Sequence, residues 1–306
     1  MKNQSAKAES KLILALGMFD GVHAGHHALL SRAVELAEQQ CARVIALTFA
    51  NHPQTLFGKE LPLLTNAVQR AALLQREGVE ADMLPFTEEM AKISPVEFVD
   101  FLQAHFSESI STVVVGESYR FGHEASGTPE LLQSLGQNAG FETVILPTLC
   151  VDGAPVSSSR IRLLLTNAEL SEASRLLGRP YAVCGLVMRE KGLATRLGFP
   201  TANLTATGII PLPNGVYVSR VEWEGETYPA VTNIGKRPTV GGKERAVETH
   251  IIGATPNLDD QWLCVEQLAY LRPEKNFASL SELREQVKED IKTSLDMFSK
   301  AVVRGK

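Results

Sequence analysis

Leu12-Ile-Leu-Ala-Leu16 runs straight into Gly17-Met-Phe-Asp-Gly-Val-His-Ala-Gly-His26, and that stretch into apolar residues at helical spacing: Leu29, Leu30, Ala33, Val34 and Ala37. A short apolar run, a glycine-rich turn and a 3–4 residue period predict strand, loop and helix in that order. The alternation continues. Strand-like runs at 44–49, 83–86, 112–116 and 143–147 are separated by helix-like segments. Strands alternating with helices predict an α/β unit, a doubly wound parallel sheet covered on both faces. Ligands of such sheets bind beyond the carboxyl ends of the strands, where the quoted loop sits.

Beyond residue 178 the pattern changes. Strand-like runs recur at 181–188, 216–223, 227–232, 247–252 and 263–270, punctuated by Pro211-Leu-Pro-Asn-Gly215 and Gly241-Gly242. Little helix separates them, which predicts an antiparallel barrel or sandwich. Leu280, Leu283, Val287, Ile291, Leu295 and Phe298 then form one stripe of a closing helix. Residues 160–178 read as a bridging helix ended by Gly178-Arg-Pro180. The expected domains are therefore 1–178 and 179–306.

Composition narrows the function. The 306 residues are 44% hydrophobic and 21% charged, as in ordinary globular chains, with a formal net charge of −5. Neither half has the basic excess of a nucleic-acid binder, so local Lys and Arg residues are expected to serve smaller anions. Cys41, Cys150, Cys184 and Cys264 lack the short spacing of a zinc or redox site. Each is expected to be a buried free thiol, which suits a reducing cytoplasm. The polar N-terminus does not read as a secretory signal, and no apolar run reaches the length of a membrane span.

Around the opening loop, Gly17, Gly21 and Gly25 lack Cβ atoms and tolerate positive φ, so the backbone can pass close to a ligand. The helix starting near His26 aims free N–H groups at an anion. His23, His26 and Asp20 stand beside that point, as expected of a triphosphate site. The pattern resembles the H-x-G-H signature of nucleotidyltransferases that act at the α-phosphate of ATP. There the imidazoles donate to phosphate oxygens as charge builds. Val156-Ser-Ser-Ser-Arg-Ile-Arg162 offers a second phosphate element: hydroxyls of Ser157, Ser158 and Ser159, and forked donors of Arg160 and Arg162. Asn51, after the second strand, and Arg120, after the fourth, occupy ligand-loop positions and are expected to touch flavin or phosphate.

In the second half, Leu197-Gly-Phe-Pro-Thr-Ala-Asn203 places Thr201 and Asn203 on one side of an extended segment. Two small neutral oxygen ligands suit Mg²⁺ held largely by ATP phosphates. In Val247-Glu-Thr-His250, Glu248 and His250 share one face. Glu248 is the expected base for a hydroxyl that takes a phosphate, and His250 a neighbour. Gly198, Pro200, Asn233 and Arg237 are expected in the loops over nucleotide and substrate.

Taken together, GMFDGVHAGH at 17–26, NHP at 51–53, VVGESYRFG at 114–122, SSSRIR at 157–162, LGFPTAN at 197–203, NIGKRPT at 233–239 and VETH at 247–250 resemble the bifunctional riboflavin kinase/FAD synthetases of bacteria. The resemblance implies an N-terminal Rossmann-like nucleotidyltransferase domain and a C-terminal six-stranded antiparallel β-barrel kinase. It implies Mg²⁺ and ATP, with riboflavin, FMN and FAD as substrates and products. It carries Phe19, Asp20, His23, Gly25, His26, Ser157, Ser158, Arg160 and Arg162 over as ATP-site positions, Thr201 and Asn203 as magnesium–ATP ligands, and Glu248 as base. The chain departs from the family at Ser159, Thr195-Arg196, His123-Glu124-Ala125 and Asn257–Trp262. Three alternatives stay open: one activity alone, a non-catalytic flavin or nucleotide sensor, or another H-x-G-H transferase. Oligomeric state is open too, a monomer included.

Overall fold

The computed structural model describes residues 11–188, 198–205, 211–236 and 245–304. Packing divides the chain into two compact units, Met1–Ser158 and Ser159–Lys306.

In the first unit, β1 (Lys11–Leu16), α1 (Ala24–Gln40), β2 (Arg43–Phe49), α2 (Pro53–Leu56), α3 (Ala67–Arg76) and β3 (Glu80–Leu84) come first. They are followed by α4 (Glu88–Lys92), α5 (Pro95–His105), β4 (Ser109–Gly116), α6 (Pro129–Ala139), β5 (Glu142–Leu146), β6 (Cys150–Val151) and β7 (Ala154–Pro155). The five main strands are parallel, in the order β3-β2-β1-β4-β5. The order reverses between β1 and β4, and ligands of such sheets collect at that switch. Strand β1 is central and buried on both faces, which explains its unbroken apolar run. Leu12, Leu14 and Leu16 pack with Phe98, Leu102 and Leu132 on one face. Ile13 and Ala15 pack with Leu30, Ala33 and Leu74 on the other. The doubly wound sheet is therefore as the sequence predicts. The third strand begins three residues earlier than its apolar run suggests, and the β6–β7 hairpin is an addition.

In the second unit the bridging segment is not one helix. It is α7 (Ser158–Thr166) and α8 (Leu170–Leu177), the two broken where Ala168 takes φ 58°. The strands β8 (Tyr181–Met188), β9 (Ala202–Thr205), β10 (Gly215–Trp223), β11 (Glu226–Lys236), β12 (Arg245–Ile251) and β13 (Trp262–Arg272) follow, then α9 (Leu280–Arg304). They close a barrel in the order β10-β11-β12-β9-β8-β13, every described pairing antiparallel. Closure removes sheet edges. The barrel is the predicted one, with β9 supplied by the Thr201–Asn203 string.

Helix α9 forms as its stripe predicts, but its buried contacts are polar. Asp290 and Ser294 are buried, whereas Leu280 and Leu295 are exposed. Arg272 grips Asp290 with Nε and Nη2, at 2.9 and 2.6 Å, and Ser294 Oγ donates to Ala230 O at 3.0 Å.

The cysteine expectation needs correction. Cys41 and Cys150 are exposed thiols. Cys184 and Cys264 lie directly opposite each other on β8 and β13, with Cα atoms 4.1 Å apart, and form a disulfide. The pairing follows from strand register, which a separation of 80 residues conceals in the sequence. Two of the four thiols invoked for a reducing compartment are therefore absent.

Candidate active sites

The loop after β1 is held in one shape from several sides. Gly17 N donates to Leu47 O, and Thr48 Oγ1 to Met18 O. The Asp20 carboxylate, 1% exposed, accepts from Leu64 N at 2.9 Å and from Thr65 N at 3.1 Å. Thr65 Oγ1 takes the Gly21 N–H at 3.1 Å, and Ser158 Oγ donates to Asp20 O at 2.9 Å. Asp20 thus fastens the loop to the entrance of α3.

The positive-φ positions differ from the expected set. Gly21 has φ 84°, but the others are Phe19 at 48° and Val22 at 39°. A β-branched residue there is strained, and such strain is held only where surrounding contacts over-determine it. Gly17 and Gly25 matter for space. A Cβ on Gly17 would stand 3.1 Å from the Phe19 ring, and one on Gly25 would stand 3.2 Å from His23 Cε1.

His23 is the N-cap of α1 and forms a capping box with His26. Backbone N–H groups only donate, so both Nδ1 atoms are acceptors and each neutral ring carries its proton on Nε2. The rings stack with centroids 3.6 Å apart and planes 13° from parallel. Two Nε2–H donors are thereby fixed beside a helix N-terminus at the carboxyl end of β1. That arrangement suits an anion.

Other predicted residues have different contacts. Asn51 spends its carboxamide on the backbone of Phe86, donating at 3.0 Å and accepting at 2.8 Å, which ties the exits of β2 and β3 together. Arg120 is exposed and folds back, with Nη1 donating to Tyr119 O at 2.7 Å. Ser157 and Ser158 end the first unit. Ser159, Arg160 and Arg162 belong to the second, where Arg162 Nη1 donates to Ser159 Oγ at 3.3 Å.

The barrel builds its own polar row. Glu248 is paired with Asn203 across β9–β12 and with Asn233 across β11–β12. Directly opposed residues share a face, so a carboxylate stands between two carboxamides on three adjacent strands. Thr201, two residues before Asn203, falls on the same side. The alternate residues point inward, where Thr232 and Thr249 join hydroxyls at 3.0 Å. His250 Nδ1 donates to Pro200 O at 2.9 Å, and its ring meets Phe199 edge-on. His250 therefore latches the loop that delivers Thr201. Gly198 takes φ 90° at the start of that loop. Arg237, Thr195 and Arg196 lie outside the described residues. Glu274, not foreseen from sequence, lies against Gly235 and accepts from Asn214 Nδ2 at 3.0 Å. The side-chain oxygens of Thr201 and Asn203 are hard ligands of the kind that could hold Mg²⁺.

Residues 5–160 match the FAD synthetase family, and residues 177–298 match the riboflavin kinase family. A relative from Pseudomonas fluorescens, a bifunctional riboflavin kinase/FMN adenylyltransferase, is 36% identical over 91% of this chain and 90% of its own. The chain belongs to the bifunctional riboflavin kinase/FMN adenylyltransferase family. The relative of that name from Escherichia coli (strain K12) is 33% identical over 97% of this chain and 96% of its own. A solved structure from Streptococcus pneumoniae, titled a macrolide-efflux protein, superposes with a TM-score of 0.79 at 29% identity, covering 93% of this chain and 94% of that one. Among the described residues no helix is long and apolar enough to cross a membrane. The FAD synthetase match spans the parallel-sheet unit, and the riboflavin kinase match lies within the barrel unit.

Proposed function

We propose that the chain makes FMN from riboflavin in its barrel and FAD from FMN in its parallel-sheet unit, using ATP in both steps. The observation that carries this reading is the fall of two family matches on two units.

In the kinase step the Glu248 carboxylate takes the proton of the ribityl 5′-hydroxyl. The freed oxygen bonds to the γ-phosphorus of ATP as the bond to the bridging β–γ oxygen breaks, and ADP leaves. Bound Mg²⁺ would neutralise phosphate charge, with Thr201 and Asn203 as its protein ligands. Gly198, Pro200, Asn233 and Arg237 are assigned to the substrate loops.

In the adenylyl step a phosphate oxygen of FMN bonds to the α-phosphorus of ATP, and the bridging α–β bond breaks to release pyrophosphate. His23 and His26 donate from Nε2 to phosphate oxygens as charge develops. Ser157, Ser158, Ser159, Arg160 and Arg162 are assigned to phosphate on their chemistry. Asn51 and Arg120 are assigned to the flavin side, with Asn51 shaping the loop. The substrates are small molecules, so neither nucleic acid nor membrane is required, and a monomer suffices. Dependence on ATP favours the cytoplasm.

The test is a time course with riboflavin, ATP and Mg²⁺, separating flavins by chromatography. FMN should appear first and FAD after it. Riboflavin unchanged in folded protein would remove the kinase assignment, and supplied FMN unchanged would remove the adenylyltransferase one.

A further inference from the structure

Arg70, on the second turn of α3, is 0% exposed. Its Nη2 donates to Phe49 O at 2.7 Å and to Ala50 O at 3.1 Å, the two carbonyls at the exit of β2. Nε and Nη1 find no hydrogen-bond partner among the described residues. Burial pushes the guanidinium below its ordinary value, and the charge of Asp20 works against that loss. A buried, incompletely paired guanidinium is costly, and an apolar side chain would fill a core at less expense. Its position accounts for the charge. Asp20 holds the His23/His26 loop to Leu64 and Thr65, just before α3. Ala50 precedes Asn51, and its N–H donates to Leu84 O at the exit of β3. Arg70 thereby fastens the exit of β2, itself bonded to the exit of β3, to the helix whose entrance holds the Asp20 loop.

We propose that Arg70 is a positioning residue for adenylyl transfer, fixing the exit of β2 to α3, whose entrance at Leu64 and Thr65 holds Asp20 and with it the His23/His26 loop. This rests on the adenylyltransferase reading above. The loop must place two imidazoles against the α-phosphate while the exits of β2 and β3 place the FMN phosphate. A shift of about 1 Å between such segments can lower a rate on the order of 10²-fold.

The test compares wild-type full-length chain with Arg70→Met and Arg70→Lys, measuring kcat and KM for FMN adenylylation, with kinase turnover in the same molecule as the internal reference. Well below the unfolding temperature, Arg70→Met should lower adenylylation kcat by about tenfold or more while KM for ATP moves less than about threefold. Arg70→Lys, which keeps a charge and a donor for the carbonyls, should recover part of the loss. An unchanged kcat in folded Arg70→Met, with only a lower melting temperature, would make Arg70 a plain core fastener and overturn the proposal. If Arg70→Met does not fold, Arg70→Gln, which lacks the charge, takes its place: wild-type kcat in that folded variant would overturn the proposal too. A wild-type chain that fails to convert FMN would instead remove the activity on which the proposal rests.

Discussion

His23 and His26 cap each other: the Nδ1 of each ring accepts the backbone N–H of the other residue at 3.3 Å. A capping box ordinarily uses a hydroxyl or carboxylate for this purpose. Using imidazoles fixes both tautomers and turns a structural cap into a pair of aimed donors. Helix capping uses one nitrogen of each ring, and the phosphate contact proposed above would use the other.

That separation can be tested at His23. An Asn carboxamide can reproduce the Nδ1 acceptor but not the Nε2 donor, and Ala reproduces neither. His23→Asn should keep most of the thermal stability of the parallel-sheet unit, while His23→Ala should lose about 1 kcal/mol, the usual value of an N-cap. Both should lower FAD formation from FMN by roughly 10²-fold or more, as loss of a transition-state donor does. Kinase turnover should stay at wild-type level. An Asn variant with full adenylylation would show that the Nε2 donors are idle.

Glu248 offers the complementary test. Its neighbours Asn203 and Asn233 sit one strand away on either side, so a carboxamide of the same shape can occupy its place. Glu248→Gln should fold normally and lower riboflavin phosphorylation by about 10²–10⁴-fold, the range for a lost general base. Conversion of supplied FMN to FAD should be untouched. Equal loss of both activities would contradict the division between the units.

Much of this was legible in the sequence, for identifiable reasons. β1 is buried on both faces and flanked by a glycine-rich turn, so period and punctuation agree. The row at Glu248 was half visible: period-two spacing puts Thr201 and Asn203 on one side, but only strand register brings Asn233 to Glu248. β9 was hidden because its four residues overlap the Thr201–Asn203 string and contain little apolar sequence. The fastening role of Asp20, though the residue itself was singled out, and Arg70 altogether were hidden for another reason. Their partners are backbone groups more than twenty or forty residues away, and backbone carbonyls and amides leave no mark on sequence. The disulfide was obscured by the opposite expectation, since Cys in an apolar strand ordinarily reads as a small buried hydrophobe.

Cys184–Cys264 should govern how the barrel responds to reductant. Chain-entropy arguments give about 4.5 kcal/mol for closing a loop of this length, and measured values more often fall at about 2–4 kcal/mol. Adding a thiol reductant, or substituting both residues by Ser, should lower the unfolding free energy of the barrel by an amount in that range, read as a lower denaturant midpoint. Thiol titration of native chain purified without reductant should find two groups, Cys41 and Cys150. Four reactive thiols under those conditions would show that the cross-strand bond does not form.

The contact between Arg272 and Asp290 decides how the closing helix is held. Both side chains are largely removed from water, at 14% and 5% exposure, and the pair is bidentate. Gln286 Nε2 adds a third donor to Asp290 at 3.0 Å. Removing one charge leaves the other buried and uncompensated, which typically costs about 3–5 kcal/mol, whereas replacing both by apolar residues of similar volume is often neutral. Asp290→Ala should therefore destabilise the barrel strongly in equilibrium unfolding, while Arg272→Met combined with Asp290→Leu should recover most of the loss. Because α9 packs on β11, which carries Asn233, the single variant should also raise KM for riboflavin more than it lowers kcat. A single variant as stable as wild type would mean that the helix is held by its apolar stripe after all.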